Sequence, residues 1–302
     1  PNATILELAV AQNPTFFTAD LIGGNDVLGY ATQGGDASLS AITPPSEFAT
    51  TFNTIIDGLT ANGAKGAVTN TPYVNNLPYF TAVSYNPVPL DAATAAQLNA
   101  GYAAYNGGLQ AAFQALAGTG LFTQEELDRR TINFTEGNNA VVILDEYLTD
   151  LGAINPAFAG LPQFRQTTEA DLITLPTASI LPTGAGTATP LLDSNVLTPE
   201  EQLEIKEAVD AYNSTIQSVA AAKGLAFVDV NQILIDAAST GITFDEYFLN
   251  ADLVFGGLVS LDGIHLTARG YAYMANLFLK AIDETYGSNF EASGNFAKAG
   301  NY

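Results

Sequence analysis

The sequence predicts an α/β fold, a parallel sheet covered by helices, and three observations carry that prediction. Short runs rich in β-branched and aromatic residues end in turn signals. Helical stripes of apolar residues follow them at three- and four-residue spacing. The rhythm also stops in the middle of the chain and resumes near residue 198, so both ends would build one core around an elaboration.

The first strand is expected at Thr15-Phe16-Phe17-Thr18-Ala19-Asp20-Leu21-Ile22, which runs directly into Gly23-Gly24-Asn25-Asp26, a tight turn. Phe48, Phe52, Ile55 and Leu59 place a helix near Glu47 to Leu59, Gly63 stops it, and Gly66 to Thr71 reads as a second buried strand. From Asp91 to Ala117 a stripe of Leu98, Tyr102, Tyr105, Leu109, Phe113 and Leu116 predicts a long helix that Gly118 ends. Thr123-Gln124-Glu125-Glu126 has the capping-box pattern of a short helix. Arg130 to Phe134 and Ala140 to Leu144, joined through Glu136 to Asn139, read as a β-hairpin, and Leu151 to Leu197 has no clear period. Residues 75 to 197 are therefore expected to be an elaboration inserted within a single domain spanning residues 1–302. Thr198-Pro199-Glu200-Glu201 then opens a helix that buries Ile205, Val209, Tyr212, Ile216 and Val219 and stops at Gly224. Leu225 to Val230 is a third core strand. Thr267 is placed to cap a last helix, Ala268 to Tyr286, with Tyr271, Ala275, Phe278 and Ile282 on its apolar face.

Composition narrows the function classes. Of 302 residues 47% are apolar, and 9 Lys+Arg stand against 31 Asp+Glu for a formal net charge of -22. The apolar content is enough for a packed core, which argues against disorder. Such acidity repels phosphate backbones, so no nucleic acid partner is expected. With no Cys there is no disulfide, thiolate nucleophile or Cys-ligated metal. Low charge density with surplus Thr, Asn, Gly and Ala leans toward an extracytoplasmic location: periplasmic, surface-anchored or secreted. The chain opens with Pro1 rather than Met and shows no signal segment, as a mature form or a fragment would.

Two clusters could carry chemistry. His265 is the one histidine, and Asp262 lies three residues upstream in Ser260-Leu261-Asp262-Gly263-Ile264-His265-Leu266-Thr267. In a loop turning into a helix the carboxylate can accept from Nδ1, fix the tautomer and leave Nε2 to take a proton; the same pair also fits a surface histidine at a helix entry. Gly23-Gly24-Asn25-Asp26 sits at the carboxyl end of the first strand, where open α/β sheets bind ligands. An Asn amide beside backbone N–H groups suits an oxyanion, and the same four residues also suit a plain turn and helix cap.

Together the two clusters resemble the SGNH (GDSL-type) hydrolase family. Asn13-Pro14-Thr15-Phe16 before the strand and Gly270-Tyr271 after the Asp-x-x-His block are similar to that family's surrounding text, and the resemblance covers roughly residues 1–75 and 198–286. It implies a three-layer sandwich on a flavodoxin-like parallel sheet, incomplete at the N-terminus, and a serine esterase or lipase-like hydrolase acting on carboxylic esters. It also implies His265 and Asp262 as catalytic residues, Asn25 and Gly23 in the oxyanion hole, no metal and no organic cofactor. The substrate would be a small-molecule, lipid or glycan ester. The family's Gly-Asp-Ser block has no counterpart here, for none of the 22 residues before Gly23 is Ser. Ser38 in Gly35-Asp36-Ala37-Ser38-Leu39 mimics it with an inserted Ala, and Asp193-Ser194 lacks a preceding strand. The nucleophile is therefore expected on a missing N-terminal segment that associates with this chain beside Thr15 to Ile22. A non-catalytic surface protein of the same scaffold, binding glycan or lipid, is the alternative. Calcium binding finds no D-x-[DN]-x-[DN]-G loop to support it.

Overall fold

The structure is a computed structural model that describes residues 3–302; Pro1 lies outside the described residues. The described chain divides into two compact units, the first comprising residues 3–31, 37–79 and 203–302 and the second residues 32–36 and 80–202. No helix among the described residues is long and apolar enough to cross a membrane.

In the first unit the three expected strands form one parallel sheet in the order β1 (Phe16–Ala19), β2 (Lys65–Thr69), β3 (Ala226–Val228). Phe17 sits opposite Gly66, and Val68 opposite both Ala19 and Phe227. In the central strand β2 Ala67 and Val68 are fully buried, as parallel sheets covered on both faces require. Edge strand β1 instead alternates, with Phe17 and Ala19 buried and Phe16 and Thr18 exposed. Its outer edge has no partner strand among the described residues.

The longer helices that complete this unit's layers are α1 (Gly24–Thr32), α2 (Pro45–Thr60), α3 (Pro199–Lys223), α4 (Val230–Ser239) and α5 (Ala268–Tyr286), and a short helix at Ile5–Val10 precedes β1. Phe48, Phe52 and Ile56 bury one face of α2, and the Phe48 ring stacks on Tyr212 of α3 with centroids 4.0 Å apart. Helix α5 lays Met274, Leu277, Phe278 and Ile282 against Ala67, Ala226 and Val228. Thr267 caps it by accepting from the Gly270 N–H at 3.0 Å, and Gly287 in the left-handed conformation ends it. Tyr271 departs from the expected apolar stripe and is 54% exposed. Gly270, one residue before it, sits so close to Leu258 that a Cβ would stand 2.4 Å from that carbonyl oxygen, so no larger residue fits there.

Side chains join the carboxyl ends of the strands. The Thr69 hydroxyl donates to Asp20 and accepts from the Leu21 N–H, each at 2.8 Å. Asn213 pairs with both the N–H and the carbonyl of Thr71 at 2.8 Å. Asn70 donates to Asp229 at 2.7 Å, and the same Asp229 caps α4.

The second unit holds the helix Ala92–Ala115, the short helix Gln124–Arg130, and two-stranded ladders. The expected hairpin between residues 130–134 and 140–144 is not formed. Gly137–Asn139 pairs with Val88–Leu90, and Val142–Leu144 pairs with Phe164–Gln166. The reason lies in two asparagines of the long helix. Asn106 binds the Ile132 N–H and carbonyl at 3.0 and 2.8 Å, and Asn99 binds those of Phe134 at 2.8 Å each. The backbone groups that a hairpin partner would have satisfied are thus taken by side chains. Asn139 closes the intervening turn on Thr135 and Gly137. The periodless stretch contains short strands at Phe164–Gln166, Leu172–Ile173 and Val196–Leu197 among single 3₁₀ turns.

Candidate active site

Residues 257–267 form a tightly closed loop. Val259 and Leu266 bridge antiparallel, the Ser260 N–H donates to the His265 carbonyl at 2.7 Å, and the Thr267 N–H donates to Leu258 at 2.9 Å. Leu258 and Val259 are buried in a cluster with Ile242, Phe244 and Leu249 of the hairpin at residues 242–249, which anchors the loop's base. At the tip Gly263 adopts φ +76, and a Cβ there would stand 2.6 Å from the Tyr79 nitrogen, whose N–H donates to the Gly263 carbonyl at 3.0 Å. Only glycine satisfies both the conformation and the close approach.

This folding brings Asp262 and His265 together. Asp262 Oδ2 lies 2.7 Å from His265 Nδ1. Its Oδ1 accepts from the Ser260 hydroxyl at 2.6 Å and from the N–H groups of Ile264 and His265 at 2.9 and 3.0 Å. The Ser260 hydroxyl, then the Ile264 N–H and the imidazole, hold the Asp262 carboxyl well below the usual carboxylate range. A carboxylate so held accepts from Nδ1–H and leaves the Nε2 lone pair available. Nε2 has no hydrogen-bond partner among the described residues. The two side chains are 69% and 49% exposed, so the pair orients a ring rather than stabilising the fold. Ser260 is the residue that the sequence reading passed over. A hydroxyl two residues before an Asx turn is the signal that could have marked it.

His265 lines a cavity of about 230 Å³ together with Asn25, Asp20 and Gly24. Asn25 opens α1, is exposed, and its amide has no hydrogen-bond partner among the described residues. Leu21, the turn residue before it, takes φ +50, a conformation costing a non-glycine residue roughly 1–3 kcal/mol. The bond from its N–H to Thr69 holds it there. Gly23 is not among the lining residues. It takes φ +89, and a Cβ would meet the Phe48 ring at 2.7 Å and Tyr212 at 3.0 Å, so its place is in the packing behind the turn. Leu28, Val230, Leu258, Leu266 and Tyr271 make the remaining wall largely apolar.

The structure therefore puts His265 and Asn25 on one opening, with Asp262 bonded to the imidazole from outside the lining, and leaves the weaker nucleophile candidates elsewhere. Ser38 is exposed in the turn after α1 and does not line the cavity, and Ser194 lies in a 3₁₀ turn of the second unit. No Ser, Thr or Lys lines the cavity among the described residues. The arrangement offers a proton acceptor, an amide donor and an apolar wall, which is what acyl transfer requires apart from a nucleophile. Comparison of this chain with protein-family models, with curated proteins and with solved structures gives no match.

Proposed function

We propose that this chain carries the acid–base and oxyanion parts of an SGNH-type serine esterase, with a flavodoxin-like sheet completed by a serine-bearing strand along the open edge of β1. The observation that carries the reading is the Asp262–His265 hydrogen bond on the same cavity as the unpaired Asn25 amide. The open edge of β1 supports it further, because unpaired strand groups are templates for another strand. A serine at the end of such a strand would stand at the carboxyl ends of the sheet, beside the cavity.

In the proposed reaction the serine oxygen attacks the ester carbonyl while His265 Nε2 takes the hydroxyl proton. Asp262 steadies the imidazolium, and Asn25 donates to the oxygen that becomes negative; one such donor is worth about 2.7–4 kcal/mol in the transition state. The intermediate expels the alkoxide, which receives the proton from Nε2. Water, deprotonated by the same nitrogen, then attacks the acyl carbonyl, and the bond from the acyl carbon to the serine oxygen breaks as Nε2 returns the proton to that oxygen, releasing the acid. The apolar wall suits an acyl chain or another apolar group.

The test is hydrolysis of p-nitrophenyl acetate and butyrate by the full-length protein from its native host. The expected result is turnover that falls at least about 10³-fold in His265→Ala. Unchanged turnover in that variant removes the proposed base. A second reading, a non-catalytic binder of glycan or lipid, is favoured by one observation: no Ser, Thr or Lys lines the cavity among the described residues. It predicts neither turnover nor labelling by a fluorophosphonate, with apolar ligands still bound.

A further inference from the structure

We propose that the second unit binds a divalent cation, with Ca²⁺ chemistry, through Glu146, Asp193 and Glu201. One carboxylate oxygen from each lies within 4.8 Å of the others. Oxygens bound to a single Ca²⁺ at about 2.4 Å can be no further apart than about 4.8 Å, so one ion can touch all three. The donors are all hard oxygens, which selects calcium, magnesium or manganese over softer metals.

Proximity of acids alone would mean little; what points to a ligand is the unmet bonding. Glu201 is fully buried, yet its Oε1 has no hydrogen-bond partner, and Asp193 Oδ1 and the Thr198 hydroxyl, itself 1% exposed, have none either. Glu201 Oε2 accepts the Thr198 N–H at 2.6 Å, one half of a capping box, so Oε1 is the oxygen left over. Gly35, at φ +86, passes so near that a Cβ would stand 2.6 Å from Oε1. A buried polar atom left unpaired costs roughly 1–3 kcal/mol, and more when charged.

The other buried acids of this unit show the contrast. Asp171 holds Arg165 at 2.6 and 2.7 Å and the Thr168 N–H at 2.7 Å. Asp145 is bonded to Arg165, and also to Arg129 at 3.1 Å and the Tyr147 N–H at 3.0 Å. Glu146, Asp193 and Glu201 have no Lys, Arg or His partner among the described residues. Burial and their mutual repulsion push the Asp193 and Glu201 carboxyls up, the direction expected of a negative cluster that lacks its counter-charge. Glu146 is exposed, which leaves an entry path.

The test uses the whole chain, stripped with EDTA and titrated calorimetrically with Ca²⁺, Mg²⁺ and Mn²⁺ chlorides, with Tb³⁺ luminescence as a second readout. One saturable site is expected, together with a rise in Tm. Glu201→Gln, which keeps an acceptor for the Thr198 N–H, is expected to weaken binding at least tenfold, and the exposed Glu169→Gln to leave it unchanged. The absence of a saturable site at millimolar ion overturns the proposal. So does weak multisite binding that both variants share, which is a counterion atmosphere on an acidic surface.

Discussion

Single residues show how a charge at the surface is answered by its own loop, and Asp262 is the clearest case. Four donors converge on its two oxygens, and three of them are supplied by the loop that presents His265: the Ser260 hydroxyl and two main-chain N–H groups. The carboxyl is held low, so it stays charged wherever an imidazole can act as a base. The sign of the linkage follows. A depressed carboxylate favours the folded loop above the ordinary carboxylate range and stops doing so as pH falls through its own lowered value. Amide exchange of Ile264 and His265, followed from pH 7 downward, is therefore expected to stay slow to below about pH 4, near an unperturbed Asp pKa. Asp262→Asn should speed exchange at both amides throughout that range. Equal exchange in the two proteins at neutral pH would mean that the carboxylate does not hold the loop.

At the scale of elements, legibility followed who satisfies the backbone. The three sheet strands and helix α5 were readable because their partners are other main chains and their ends carry ordinary signals, a Thr267 cap and a Gly287 stop. The hairpin does not form because Arg130 to Phe134, though of strand composition, has its backbone groups met by Asn99 and Asn106 from a helix. No local pattern announces that, since the asparagines sit about 30 residues away on the polar edge of an apolar stripe. The helix Gln124–Arg130 was legible from Thr123, which accepts the Glu126 N–H at 3.2 Å. Glu126 does not close the box; it turns to Arg130 at 3.3 Å and to Thr149. If Asn106 stands in for a strand, Asn106→Ala leaves a buried N–H and carbonyl unpaired at Ile132, which is 1% exposed. Urea unfolding should then show a loss of about 1–3 kcal/mol, whereas an exposed helix asparagine changed to Ala would gain a few tenths from propensity. A neutral or stabilising result would mean that water replaces the side chain at no cost.

For the whole molecule, the candidate site was legible where it depended on rare residues and illegible where it depended on common ones. A single histidine with an Asp three residues before it, and an Asn after two glycines, could be picked out of 302 residues; Ser260, and the packing that confines Gly23, could not. Net charge is a property that sequence states outright, and it makes its own prediction. A formal charge of -22 stresses the compact state through self-repulsion. Salt shortens the reach of that repulsion, from about 30 Å at 0.01 M to about 8 Å at 0.15 M. With EDTA present, Tm at pH 7 should therefore climb steadily between 10 and 150 mM NaCl, and to the same extent with choline chloride, because screening does not depend on which cation supplies it. Millimolar Ca²⁺ added at 150 mM NaCl should then raise Tm further in the parent chain, and by less in Glu201→Gln. Were sodium effective and choline not, the stabilisation would belong to a bound ion rather than to the summed field, and the two effects would have to be assigned to one place.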